Sequence, residues 1–177
     1  MSIVPSLNFD SDHNIIQFNG SLLSLHCHHY NCGLLKTIEE LSQIDGQAVI
    51  VESAAEEFFG NFRQLLSNEL EGMSPDKALQ EASELYRFMG FGRLDLTKLT
   101  ARGGIAYGHS SYYVTSWLAK YGRRDTPVCY FTCGFIAGIV GAVFDVTPHT
   151  YEVKETECMI LRHERCEFVV TKKSNGD

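Results

Sequence analysis

The chain has 177 residues, 44% hydrophobic and 21% charged, the mixture of an ordinary globular domain long enough to bury a core. Its formal net charge of −7 leaves no basic footprint for nucleic acid or for an anionic membrane surface. The one basic run, Lys120-Tyr121-Gly122-Arg123-Arg124, follows a predicted helix and reads as cations that complement its C-terminal dipole. The longest apolar stretch, residues 128–144, is broken by Thr132, Gly134, Gly138 and Gly141, so a buried core helix is expected there and no membrane span. The opening MSIVPSLNFD has neither a basic nor an apolar leader segment, which favours a cytoplasmic protein whose six cysteines stay reduced or bind metal.

In chain order, residues 14–18 predict a strand, Asn19-Gly20 a hairpin turn, and residues 21–29 the returning strand. Leu34, Ile38 and Leu41 then recur at helical spacing. A longer helix is predicted over about 47–70, with Phe58, Phe62, Leu65 and Leu66 on its buried side and Gly72 closing it. Ser74-Pro75-Asp76 opens the next helix: Ser74 caps, Pro75 suits the first position, and Ala78, Leu79, Ala82, Leu85 and Tyr86 face inward. Leu94, Leu96 and Leu99, then Ile105 and Tyr107, suggest two short strands broken at Gly103-Gly104. Ser110 or Ser111 starts a helix through Leu118, and Pro127 starts the glycine-interrupted helix to about Phe144. Residues 151–153 lead to 158–161 as one strand, Arg162-His163-Glu164-Arg165 make a polar turn, and 168–170 form the return. Helices fill the middle and strands frame both ends, an α+β arrangement of helices on an antiparallel sheet. No repeat or long linker interrupts the chain, so residues 1–177 are expected to form one domain. An N-terminal hairpin and helices would run to about residue 90, followed by a ligand and metal region over about 94–172.

The strongest chemical signal is Cys129 followed by Glu155-Thr156-Glu157-Cys158 and Cys166. Cys158 and Cys166 fall on the two arms of the predicted hairpin, so a metal between them would pin it. A thiolate from the helix would tie hairpin to helix. Glu155, three residues before Cys158, can turn onto the same ion. Three thiolates and a carboxylate make a closed tetrahedral zinc shell that stabilises a fold and leaves no open catalytic position. The bland alternative is a set of buried, reduced side chains. Cys133, one helical turn after Cys129 on the same face, is an alternative helix ligand.

The run Pro127-Val128-Cys129-Tyr130-Phe131-Thr132-Cys133-Gly134-Phe135-Ile136-Ala137-Gly138, with Glu155-x-x-Cys158-x7-Cys166-x-Phe168, resembles the signature of the 4-vinyl reductase domain family. The match is good over roughly the last 75 residues and loose before them. The family includes a bacteriochlorophyll-synthesis component, phenol- and xylene-sensing domains of bacterial activators, and stand-alone proteins described as hydrocarbon-binding. Its fold is similar to that of subunits of a vesicle-tethering complex. The resemblance implies a structural zinc on Cys129, Glu155, Cys158 and Cys166, an insertion around Asp145-Val146-Thr147-Pro148, a small-molecule pocket beside the metal, and a homodimer. The family name alone raises an accessory role in tetrapyrrole metabolism.

Aromatic density peaks between Tyr86 and Trp117, with Phe88, Phe91, Tyr107, Tyr112 and Tyr113 between them. Aromatics with polar tips suit a pocket for a flat apolar ligand, although for any single one of them plain core packing is the favoured explanation. His109 and Trp117 lie near the segment that supplies polar ligand contacts in the phenol sensors. The ligand-binding candidates are therefore His109, Trp117, Tyr107, Tyr112 and Tyr113. Gly134, Gly138 and Gly141 point to close approach of a second helix or of a ligand.

His26-Cys27-His28-His29-Tyr30-Asn31-Cys32 is the second unusual feature. On a strand, His26 and His28 would share a face, a common way to present two imidazoles to zinc or iron. Glu52 and Glu56, one turn apart on the long helix, could complete a second metal site. Alternatively His26, His28 or His29 lines the pocket as acid, base or donor, or the segment is solvated and does no chemistry. Two functions thus compete: a zinc-stiffened binding module for an apolar or aromatic molecule, and a metal-dependent enzyme built on the histidine cluster.

Overall fold

A computed structural model of the chain describes residues 6–18, 20–68 and 72–174. It begins with a three-stranded antiparallel ribbon, β1 (Leu7–Asp10), β2 (Ile15–Phe18) and β3 (Ser21–Leu23), paired in that order. Gly20 sits at positive φ in the second turn, where a side chain would be strained. Asn19 and the expected helix end near residue 70 lie outside the described residues. Three helices follow: α1 (His28–Glu39), α2 (Gly46–Asn68) and α3 (Pro75–Phe88). Then come β4 (Gly92–Asp95), β5 (Leu99–Thr100), β6 (Gly103–Ser111), α4 (Tyr112–Tyr121), α5 (Tyr130–Val143), β7 (Tyr151–Glu157) and β8 (Cys166–Lys172). The main sheet is antiparallel, in order β4-β6-β8-β7, with the short β5 also on β6.

The returning strand stops at Leu23 and does not reach residue 29. Cys27 is the N-cap of α1, and its carbonyl accepts from the amides of Tyr30 and Asn31. His28 and His29 therefore lie in a first helical turn, and the shared strand face expected for His26 and His28 does not form. Ser74 does precede α3 with Pro75 in the first turn, but its hydroxyl makes no cap bond. Ser111 does cap, accepting from the Val114 amide at 3.3 Å. The glycine-interrupted helix starts at Tyr130 and not at Pro127, leaving Cys129 outside it as the N-cap.

α5 is the centre of the molecule, with Phe135, Ile136, Ile139 and Val140 fully buried. One side packs on the inner face of the main sheet, where Leu94, Ala106, Phe168 and Val170 alternate with residues that face outward. The other side meets α2 at Gly134 and Gly138, where a Cβ would lie 2.3 Å from the Val51 carbonyl oxygen and 2.5 Å from that of Ala55. Close helix packing is thus the role of these two glycines. Gly141 serves the turn beyond, against Pro148 and Val146. The inward set expected on α3 is buried as a whole, and on α2 Phe62 is buried while Phe58, Leu65 and Leu66 pack at the core margin. No helix among the described residues is long and apolar enough to cross a membrane.

Candidate functional site

Cys129, Glu155, Cys158 and Cys166 converge, each offering one donor atom within 4.8 Å of every other. Four local features bring them together. Cys129 caps α5; Cys166 opens β8; Cys158 follows β7 directly; Glu155 precedes the irregularity that lets Glu155 and Glu157 sit against successive residues of β8. That extra residue bends the ribbon so that both Glu155 and Cys158 reach the helix start. Opposite Cys166, Gly108 leaves room on the inner face, since a Cβ there would lie 3.2 Å from the Cys166 Cβ.

The Sγ atoms of Cys129 and Cys166 are 3.9 Å apart, as are those of Cys166 and Cys158. A disulfide would need about 2.05 Å, whereas sulfurs about 2.3 Å from one tetrahedral zinc stand about 3.8 Å apart. All three thiols are fully buried. Glu155 Oε2 accepts from the Cys129 amide at 3.0 Å, and its Oε1 is buried with no hydrogen-bond partner among the described residues. An orphaned carboxylate oxygen facing three sulfurs is the arrangement that a cation ligand requires. The residues therefore fit a metal, zinc by donor type.

Charge tells the same story. Hydrogen bonds to Cys158 and Cys166, together with burial, push the Cys129 thiol well above the ordinary range. Cys158, which receives hydrogen bonds from Cys129 and Cys166, is drawn far below it. Burial and the neighbouring Cys158 thiolate raise the Glu155 carboxyl to about 8. Without a cation these four groups cannot all be ionised together; a divalent ion would allow it.

Cys133 is not among the converging donors. It is buried one turn further along α5, about 6 Å up the axis, where desolvation pushes its thiol up. Glu52 and Glu56 lie on α2, Glu56 facing His149 at 3.5 Å, and no second group of donors that could hold a metal forms among the described residues. His26 stacks on Tyr30 at 4.5 Å and borders a groove, while the His28 and His29 rings lie 4.0 Å apart at the start of α1.

An aromatic floor is centred on Phe131. Phe131, two residues after Cys129, contacts Phe91 at 4.7 Å, Tyr113 at 5.3 Å and Phe58 at 5.4 Å between ring centres. Tyr86 beneath it bonds Thr132 through hydroxyls 2.7 Å apart. A groove of about 310 Å³ between α1 and α2 reaches Phe91, Tyr113 and Phe131. Asn31 at its edge donates to the Tyr112 hydroxyl at 3.0 Å. Of the five aromatic and histidine candidates, Tyr112 and Tyr113 border grooves. Tyr107 and His109 sit on the outer face of β6, where Tyr107 carries Arg165 on its ring and His109 is exposed. Trp117 is buried beneath the Arg124 guanidinium, 4.6 Å from its ring centre.

Arg124 also binds Glu39 at 2.5 Å, and Glu39 accepts from Tyr130 at 2.8 Å. The basic run thus fastens α1 to the body, aided by Lys120, whose ammonium bonds the His29 carbonyl. The groove residues Ile38, Ile50 and Phe131 come from three distant helices, and no sequence pattern singles them out together.

The V4R domain family model matches residues 112–172, which contain α4, α5, β7, β8 and all four converging donors. The chain is similar to the phenol-responsive sensory domain of the transcription activator PoxR, solved with phenol. The TM-score is 0.77 with 18% identity, over 94% of this chain and 84% of that one. It is similar to a trafficking protein particle complex subunit 3 from Naegleria fowleri, covalently bound to palmitic acid. There the TM-score is 0.52 with 12% identity, over 82% and 92% of the two chains. A vinyl-4-reductase family protein from Methanocaldococcus jannaschii aligns at a TM-score of 0.45 with 14% identity, over 87% and 100%, too distant in shape to carry an argument. At these identities the first two establish a shared α+β fold. No curated protein matches the chain at a significant level.

Proposed function

With residues 112–172 matching the V4R domain family, we propose that the protein binds an apolar or aromatic small molecule. A structural zinc ion on Cys129, Glu155, Cys158 and Cys166 stiffens the site. The observation that carries the reading is the aromatic floor of Phe91, Tyr113 and Phe131 at the base of an open groove. Such a surface holds a ring or chain by area, and the Asn31 amide and Tyr112 hydroxyl offer directed hydrogen bonds. The neighbour PoxR domain, similar in fold, was solved with phenol, which supports the same class of ligand here. The zinc fixes the start of α5 and with it Phe131. Four protein ligands close its shell, so its work is structural.

Six free thiols suit a reducing cytoplasm. The outer face of the ribbon, with Ile15 and Leu22 uncovered, suits a homodimer, which sedimentation of the purified protein tests. For the ligand, calorimetric titration of the zinc-loaded protein with phenol should give saturable binding that Phe131→Ala and Tyr113→Ala weaken. Absence of binding to folded protein overturns the ligand reading. For the metal, elemental analysis should find one zinc per chain, lost in Cys158→Ser and Cys166→Ser. Zinc retained with an unchanged melting curve in both variants overturns the metal reading.

A further inference from the structure

A groove of about 530 Å³ separates α2 from β7, with Cys133 and Ala137 of α5 at its base. None of Phe91, Tyr113 and Phe131 lines it, so it is distinct from the groove over the aromatic floor. Its sheet wall is made by residues 151–155, five in succession. Successive strand residues point to opposite faces, so a groove lying over one face would touch every second residue. This one therefore runs along the edge of β7. That strand ends the order β4-β6-β8-β7, and along its outer edge the backbone N–H and C=O groups pair with no strand among the described residues.

A free strand edge invites another strand, and proteins usually blunt it with a covering element or with repelling charge. Here the groove leaves the edge open, and its exposed charges alternate in sign: Glu152 and Lys154 share the outer face of β7. An acid and a base two residues apart attract a strand that carries the opposite pair. The wall across the groove is apolar, with Ala48, Val51 and Ala55 on α2, and Val153 on β7 stays half-buried. We propose that this edge binds an extended segment of a partner protein as an added strand beside β7. The segment has apolar side chains at alternate positions, turned toward Val51 and Ala55. Between them stand an acid opposite Lys154 and a base opposite Glu152. Residues 151–155 span about 17 Å as a strand, so about five partner residues pair with them. Antiparallel pairing, the more stable arrangement, gives the partner the order acid, apolar, base. Neither a metal nor a small ligand enters this contact, so the inference stands apart from the function proposed above.

The test uses the intact, zinc-loaded protein and the fluorescein-labelled peptide Thr-Val-Glu-Val-Lys-Val-Thr, followed by fluorescence anisotropy and by hydrogen exchange. Binding should be saturable, and alternate amides of residues 151–155 should gain protection. N-methylating one alternate set of peptide amides should abolish binding, and methylating the other set should spare it, because a strand offers only one edge to β7. Lys154→Glu should weaken the peptide by about fivefold. The double variant Glu152→Lys/Lys154→Glu should instead prefer a peptide with its Glu and Lys exchanged. No saturable binding, equal loss with both methylated sets, or an affinity indifferent to both charge variants overturns the proposal. So does a dimer in sedimentation whose β7 amides are already protected without peptide, since a second copy then occupies the edge.

Discussion

The contact between α2 and α5 leaves no room for a methyl group at Gly134. A Cβ there would lie 2.3 Å from the Val51 carbonyl oxygen and 2.7 Å from the Ala54 Cβ. The nearer obstacle is helix backbone, which cannot swing aside as a side chain can, so relief requires the two helices to move apart. Gly134→Ala gains about 1 kcal/mol of helix propensity. Overpacking a tight core costs about 1–3 kcal/mol, and a backbone obstacle belongs at or beyond the upper end. The net is a loss of about 2 kcal/mol. Gly60, exposed on α2 with nothing within 4 Å of where a methyl group would stand, shows the propensity term alone. At about 2–4 °C per kcal/mol for a chain of this size, Gly60→Ala should raise the melting temperature by about 2–4 °C, and Gly134→Ala should lower it by about 4–8 °C. Thermal unfolding of the zinc-loaded protein by circular dichroism reads both. A Gly134→Ala variant that melts at or above the parent temperature refutes the close-packing argument.

Other expectations follow from single contacts. Burial opposes the Glu39 carboxylate, but hydrogen bonds from Arg124 and Tyr130 outweigh it and hold its pKa below 4.5. A depressed folded pKa gives stability that is present above the unfolded value and lost as pH falls through the folded one. The stability gap between the parent and Glu39→Gln should therefore close below about pH 4.5, and a gap independent of pH would contradict the ion pair. Tyr86→Phe strands a buried Thr132 hydroxyl and should lower the denaturation midpoint by the equivalent of about 1 kcal/mol; an unchanged midpoint speaks against the bond. Cys133→Ala and the double variant His26→Ala/His28→Ala should keep the full zinc content, while Cys129→Ala should lose it. Metal lost from either of the first two would show a ligand set different from the one described.

The convergence of the four side chains was readable because Glu-x-x-Cys and a second cysteine beyond a polar turn fall on two arms of one ribbon. What periodicity could not decide was Cys129 against Cys133, since both lie on one helical face. In the structure Cys129 stands outside the helix, where its side chain meets that of Cys166 on β8. The histidine cluster was misread as a strand because alternating leucines precede it. The helix capped by Cys27 wins, and takes His28 and His29 with it. Tyr107 and His109 looked like pocket residues because a strand's period gives two faces and not which one is inward. Ala106 and Gly108 take the inner face, and Arg165 covers Tyr107 on the other. The grooves were hidden for a simpler reason: their walls are assembled from the ribbon, all five helices and the segment before β4, far apart in the chain.

The central position of α5 has a consequence for how the chain comes into being. α2 is synthesised well before the helix that covers it, so Ala54, Ala55 and Phe58 leave the ribosome with their intended neighbour still to be made. During that interval the nascent polypeptide presents a sticky helical flank to its surroundings. Successful biogenesis therefore depends on α5 arriving before that flank finds another copy of itself.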